Sequence, residues 1–441
     1  MSKITRRFDP AKLARKIKFK VEGRYKDKVR EFAESLGNYP FIWYNSYPIE
    51  YMDISFFELS IVDNIPNLKI IFKDGLNMMR DKGFPLDDSI ITVFLNPRTR
   101  QLKPIHLDFK IIDFQIIDTT CVCHGVIDVY KLFVKEFKSY KNKTSFKVLQ
   151  DLCKDTSLGF YSNFEDSDDQ MTWINSGNKI YHFMTNILDN VYLSDQSFVM
   201  GYVDYYYNYN LIDIQKELSR NLEEESSVIN TGVEEIAKSE NRDVLGKLYL
   251  TSEVGFENTN FYFESYTIIN RSTSISIDKG YQTFVQFYDP LKKELPAFRV
   301  DSIVEQARDK IILKGFPKEN KFKNENIEYY YAGKIDTDNA HKNFNYARVL
   351  NDRNLFDLEK IAIEITLGNP NFNLYRFLKI SVIISNNVGN ANHYYNNQRL
   401  SGEWLITDIK FRFENARLTQ VVTLVKRELE IGPQEKANLN R

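Results

Sequence analysis

From Phe41 to about Ile117 the chain breaks into short apolar-rich runs separated by turn residues, which commits this stretch to strands. The runs are 54–61, 68–72, 90–95 and 107–112. Asp63-Asn64-Ile65-Pro66-Asn67 and Asn96-Pro97-Arg98 punctuate them. Several short strands at this spacing predict an antiparallel barrel or sandwich.

Helical spacing follows. Thr144 and Ser145 can cap a helix whose Val148, Leu149 and Leu152 share one face. Ile180, Phe183, Met184, Ile187, Leu188 and Val191 recur at i, i+3, i+4, i+7, i+8 and i+11, so all lie on one apolar face. Ser194 or Asp195 can cap a further segment carrying Phe198, Val199, Tyr202 and Val203. Strand patterns return at 248–250, 261–263, 275–277 and 283–288, and again at 360–365, 378–384, 404–411 and 419–425.

The order is β, α, β, β, and 441 residues are too many for one core. We divide the chain into a basic N-terminal extension (1–34), a first β-barrel-like domain (35–118) and a mainly helical insertion (119–218). An acidic linker or loop (219–245), a second β-barrel-like domain with connecting segments (246–354) and a C-terminal β domain with tail (355–441) complete it. The expected class is α+β, β-rich and multidomain, with two antiparallel β-barrel-like domains, a helical insertion and a C-terminal β domain. No short tandem period marks a solenoid.

Composition bounds the function. The formal net charge is −1, without the basic excess of a dedicated nucleic-acid binder and without a charge penalty on self-association. The 27 Tyr and 32 Phe suit strands and interfaces, or reflect an AT-rich genome that also explains the many Asn, Lys and Ile. The basic stretch 1–34 reads as an arm for nucleic acid or an acidic partner, or as a solvated, partly helical extension; Phe8, Leu13, Ile17 and Val21 on one helical face favour the second. The Asn-rich stretch 386–397 reads as a mobile loop. No apolar run reaches the ~20 residues of a membrane helix, and no apolar segment follows the basic start as in a secretory signal. Assembly in a reducing cytoplasm is expected from three cysteines, too few for a disulfide framework.

Chemical motifs are weak. Cys121, Cys123, His124 and Cys153 are the best metal candidates, but Cys-x-Cys is not the usual zinc spacing, so buried cysteines and a surface histidine are preferred. The acidic loop 165–169 lacks the Gly and Glu of a calcium loop and reads as a solvated turn before Trp173. His106 and Asp108 share a strand face without further partners and read as a cross-strand polar pair. There is no nucleophile elbow, zinc-protease motif or phosphate loop. Carboxylate pairs for glycoside hydrolysis need not be close in sequence. No catalytic, cofactor-binding or metal-ligating residue is assigned, no cofactor is expected, and no interface residue is named.

The motifs, in order, resemble the central hub proteins of baseplates in T4-like contractile-tailed bacteriophages. Those carrying the resemblance are 144–149, 158–163, 168–174, 195–198, 203–207, 341–347, 373–376, 400–404 and 419–428. It spans about 40 to 432 and leaves the basic arm and the Asn-rich loop unexplained. The resemblance implies a non-enzymatic subunit of the virion. Three copies would form a ring of six barrels between a hexameric tail tube and a trimeric cell-puncturing spike, with DNA passing through the centre. Its partners would be two further copies, the spike, tube or tube-initiator proteins, neighbouring baseplate proteins, and DNA only in transit. Lysozyme activity, where present, would belong to the spike. The alternatives are a tail-associated cell-wall hydrolase and a secretion-system hub; the latter usually fuses its spike to the same chain, whereas this chain ends at Arg441 soon after its last predicted strands.

Overall fold

The computed structural model describes residues 39–77 apart from 46 and 76, residues 88–95 and 105–219, and, between 246 and 430, the strands named below with short stretches beside them. The basic extension 1–34 lies outside the described residues, as do nearly all of the acidic segment 219–245 and the strand expected at 275–277.

Strands β1 (Phe41–Tyr44), β2 (Tyr47–Ile49), β3 (Ile54–Val62), β4 (Ile65–Lys73), β5 (Ile90–Leu95), β6 (Ile105–Ile117) and β7 (Thr120–Ile127) stand side by side in the order β2-β1-β5-β6-β7-β4-β3. Every neighbouring pair is antiparallel. Among the described residues the run is open at β2. Phe57, Leu59, Leu68, Ile70, Phe109, Cys121 and Cys123 are buried on its inner face, as the period of two requires. The β3–β4 turn is Asp63-Asn64, both with positive φ, the two-residue turn whose twist suits a hairpin.

Between 119 and 218 the structure corrects the expectation of a mainly helical insertion. Helices α1 (Ser145–Asp155), α2 (Ile180–Asp189) and the short α3 (Ile214–Leu218) are present, but strands alternate with them. These are β8 (Lys135–Lys143), β9 (Gly159–Ser162), β10 (Met171–Lys179), β11 (Val199–Val203) and β12 (Asn208–Asp213). The helical faces at Val148, Leu149 and Leu152 and at Ile180–Leu188 are buried as read from their spacing. The segment at 198–203, read as helical, is a strand instead. Its residues are buried on both faces, so its apolar run carries no diagnostic period. β8 went unread because lysines occupy both of its faces.

The remaining strands are β13 (Gly246–Tyr249), β14 (Tyr262–Asn270), β15 (Thr283–Tyr288), β16 (Ala297–Val300), β17 (Lys310–Ile311), β18 (Asn326–Tyr331), β19 (Ile361–Leu367), β20 (Lys379–Asn387), β21 (Tyr394–Asn396), β22 (Gly402–Glu414), β23 (Arg417–Lys426) and β24 (Leu429–Glu430). They do not divide at 354/355. β13 pairs with β20 and β14 with β19, so strands from both sides of that boundary share one sheet. Pairings run β22–β23–β19–β14–β13–β20 and return to β22 through its own pairing with β20. β15, β16 and β18 form a separate three-stranded sheet. Part of the Asn-rich stretch read as a loop is paired: Ser385–Asn387 face Tyr394–Asn396.

The β22–β23 hairpin turns on Asn415 and Ala416, with φ of 52° and 59°. Alanine is strained in this left-handed region and glycine is not. Ala416→Gly should therefore raise unfolding stability by about 1 kcal/mol, read from the urea midpoint at unchanged slope.

Candidate functional site

The described polar and aromatic groups converge on a junction where the two β regions and the insertion meet. β3 and β22 pair antiparallel, Leu59 with Phe411 through Phe56 with Glu414, and so join the N-terminal strands to the C-terminal ones in one sheet. On the open face of that seam Arg412 donates to Glu58 Oε2 from Nε at 3.1 Å and Nη2 at 2.7 Å. The register extends this pair into a row across five strands: Arg412, Glu58, Lys69, His124 and Asp113.

Arg412 and Glu58 are both partly exposed, so their mutual contribution is small. A double-mutant cycle with Arg412→Ala and Glu58→Ala should give a coupling of about 0.2–1 kcal/mol that shrinks in high salt.

The ladder of β3 and β22 stops at Leu59–Phe411, and the insertion takes over there. The tip of the β11–β12 hairpin is Asp204-Tyr205-Tyr206-Tyr207, and it aims tyrosines at separate walls. The Tyr205 hydroxyl donates to the Ile409 carbonyl at 2.6 Å, with the Leu59 carbonyl 3.4 Å away. Its ring meets Phe411 edge-on at 5.5 Å. The Tyr207 hydroxyl accepts from the Asp108 N–H at 2.8 Å. Burial pushes the phenols of Tyr205 and Tyr206 well above their ordinary range, so both stay neutral.

Asp204 holds this tip in shape. Its carboxylate accepts from the N–H groups of Tyr206 and Asn208 at 2.8 and 2.9 Å and from the Asn210 amide at 3.1 Å. The Asp-x-x-x-Asn spacing is a legible turn signal that sequence reasoning missed.

The third wall is the turn at 374–378. Arg376 Nε donates to the Thr407 carbonyl at 2.6 Å, at the bulge in β22. Its guanidinium lies over the rings of Tyr202 and Phe377 at 5.2 and 5.1 Å. Two motifs about 170 positions apart, 203–207 and 374–376, thus meet at one place. The cleft they enclose has about 10 Å³ of room, enough for a single water.

A second polar cluster anchors the insertion itself. Asp169, fully buried, accepts from the Ser145 N–H at 2.8 Å and from Ser167 Oγ at 2.7 Å, from the Ser145 hydroxyl, and from the Tyr192 N–H at 3.0 Å. This corrects the reading of 165–169 as a solvated turn: Glu165, Asp166 and Asp168 are exposed, but Asp169 points inward and caps α1. Burial works against ionisation of Asp166, yet hydrogen bonds from Lys147, Thr144 and the Ser167 N–H hold its carboxyl below the usual range.

The structure scatters the other candidates. Cys121 and Cys123 lie inside the first β region and Cys153 inside α1. Burial pushes the Cys121 thiol up to about 11 and raises the Cys123 and Cys153 thiols as well, so all are poor metal ligands and nucleophiles. Among the described residues no group of three or more His, Cys, Asp or Glu side chains could hold a metal. His106 lies edge-on to Phe94 at 5.6 Å, while Asp108 accepts from the Thr92 hydroxyl at 2.7 Å. No described helix is long and apolar enough to cross a membrane.

No protein-family model matches the sequence, and no curated protein matches it. Solved structures similar to this chain include phage tail proteins and a component of a type VI secretion system. The 43 kDa tail protein of prophage MuSo2 from Shewanella oneidensis is 10% identical, with a TM-score of 0.48 over 89% of this chain and 99% of that one. A tail protein from Neisseria meningitidis MC58 is 7% identical, with a TM-score of 0.47 over 88% and 96%. An E. coli component of the type VI secretion system, described as structurally similar to the T4 tail proteins gp27 and gp5, is 10% identical, with a TM-score of 0.41 over 87% and 76%.

Proposed function

We propose that this chain is a structural hub subunit of a phage tail baseplate, and not an enzyme. Three copies form a ring that joins a hexameric tail tube to a trimeric spike and lets DNA pass. The observation that carries this role is the β3–β22 seam, by which one chain holds an N-terminal and a C-terminal set of strands in one sheet. A chain with two barrel-like halves supplies six units from three copies and so bridges six-fold and three-fold partners. The hub role draws the domains as 35–118 and, merging 246–354 with 355–441, a second β half, with 119–218 as the clamp between them.

The polar groups at the junction support a structural role. Asp204 spends its oxygens on its own turn, and the tyrosines on strand carbonyls and an N–H. A channel for DNA must not be a continuous basic surface. The part of the row formed by Arg412, Glu58 and Lys69 has the mixed charge that such a wall needs.

The chain should co-purify with the spike protein of its own phage and leave host peptidoglycan intact in a zymogram. Clearing that disappears when one acidic residue is replaced would instead establish the cell-wall hydrolase.

A further inference from the structure

The sheet of β8 and β10 turns one face to solvent. Lys135, Phe137, Ser139 and Lys141 alternate outward along β8, with Ile174 beside them on β10. Phe137 is 83% exposed and Ile174 50%. The Phe137 ring nevertheless keeps one close neighbour. It lies on the bare backbone of Gly177, where φ is +95° and a β-carbon would come within 2.6 Å of the ring. Phe137 and Ile174 together make an exposed apolar patch of the kind that marks interaction sites, and phenylalanine is enriched at interfaces. Among the described residues neither Lys135 nor Lys141 forms an ion pair.

A second surface has the opposite sign. β5 ends opposite Lys110, so beyond Ile111 β6 keeps β7 on one side and, among the described residues, no strand on the other. Asp113, Gln115 and Ile117 are exposed there, and Ile112 at the bulge and Ile117 are 64% and 60% exposed. Asp118 closes the strand. A free edge bearing exposed isoleucines is a template for association unless another chain covers it.

The two surfaces match in spacing as well as charge. Phe137 and Lys141 are four positions apart on one face, and so are Ile117 and Asp113. At ~3.3 Å per residue both pairs span roughly 13 Å. Setting Ile117 against Phe137 therefore brings Asp113 to Lys141.

We propose that the β8–β10 face of one copy receives the acidic β6 edge of the next copy. The contact is head-to-tail, because the two patches sit on different parts of one chain, and such a contact closes a ring of three where its rotation is three-fold. It rests on the ring role proposed above and names the surface that joins neighbouring copies.

The test is sedimentation of the full chain over a concentration series, alone and with its spike. Lys135→Glu with Lys141→Glu should weaken trimer formation about tenfold or more, because like charges then face each other. Asp113→Lys with Asp118→Lys should do the same. The chain carrying all four substitutions should recover trimer, which also shows that the reversals left the fold intact. Trimers that form equally well in both two-site variants would overturn this contact while leaving the ring role standing. A wild-type chain that stays monomeric with and without the spike would overturn both.

Discussion

Tyr205→Ala should lower unfolding stability by about 3–5 kcal/mol, the range for deleting a fully packed aromatic side chain. The ring is buried against Phe411, and its hydroxyl supplies the donor to the Ile409 carbonyl where the β3–β22 ladder ends. Tyr205→Phe isolates the second contribution. It keeps the ring and removes the donor, and should cost about 1–3 kcal/mol. The pair is measured by urea unfolding, with the slope checked for a second transition. Because Tyr205 sits on the insertion and its acceptor on β22, the alanine variant should also loosen the seam. Amides of Leu59–Ile61 and Ile409–Phe411 should exchange with deuterium faster than those of α1. Equal loss of protection everywhere would mean that the tyrosine only contributes bulk.

Asp169→Ala should be comparably severe, about 3 kcal/mol or more. Two backbone N–H groups and two hydroxyls converge on this one buried carboxylate. Deleting it leaves at least the Ser145 and Tyr192 N–H groups buried without this acceptor, each at a cost of about 1–3 kcal/mol. It also removes a negative charge from the N-terminus of α1, where the helix dipole favours one. Asp169→Asn keeps one acceptor oxygen but turns an NH2 group toward donors, so it should fall between wild type and alanine. Thermal unfolding of the three proteins in one buffer ranks them. An asparagine variant as unstable as the alanine one would show that charge, not acceptor count, dominates.

How much of this was readable in advance depended on whether a residue's partners were near in sequence. The apolar face of α2 is a local pattern and its residues took the predicted side, and the runs 54–61, 68–72, 90–95 and 107–112 lie within β3 to β6. Thr144 capped α1 as its position suggested. β8 and β11 were lost because one carries lysines on both faces and the other is buried on both, so neither shows a period of two. The pairing across 354/355 left no signal for a different reason. β13 and β14 find their partners more than ninety residues later, and sequence pattern does not report long-range pairing. The same holds for the junction. Tyr205 to Ile409 spans 204 positions and Arg412 to Glu58 spans 354, so neither pair leaves a local signature. Asp169 looked like one more residue of an acidic loop, and only its burial separates it from Glu165, Asp166 and Asp168.

The hub role stands or falls on the assembly this chain makes. Negative-stain images of the protein purified with the spike of its own phage test it most directly. End views with three-fold symmetry, six lobes and an open centre are the predicted result. Compact single copies that never join the spike, at any concentration reached, would contradict it.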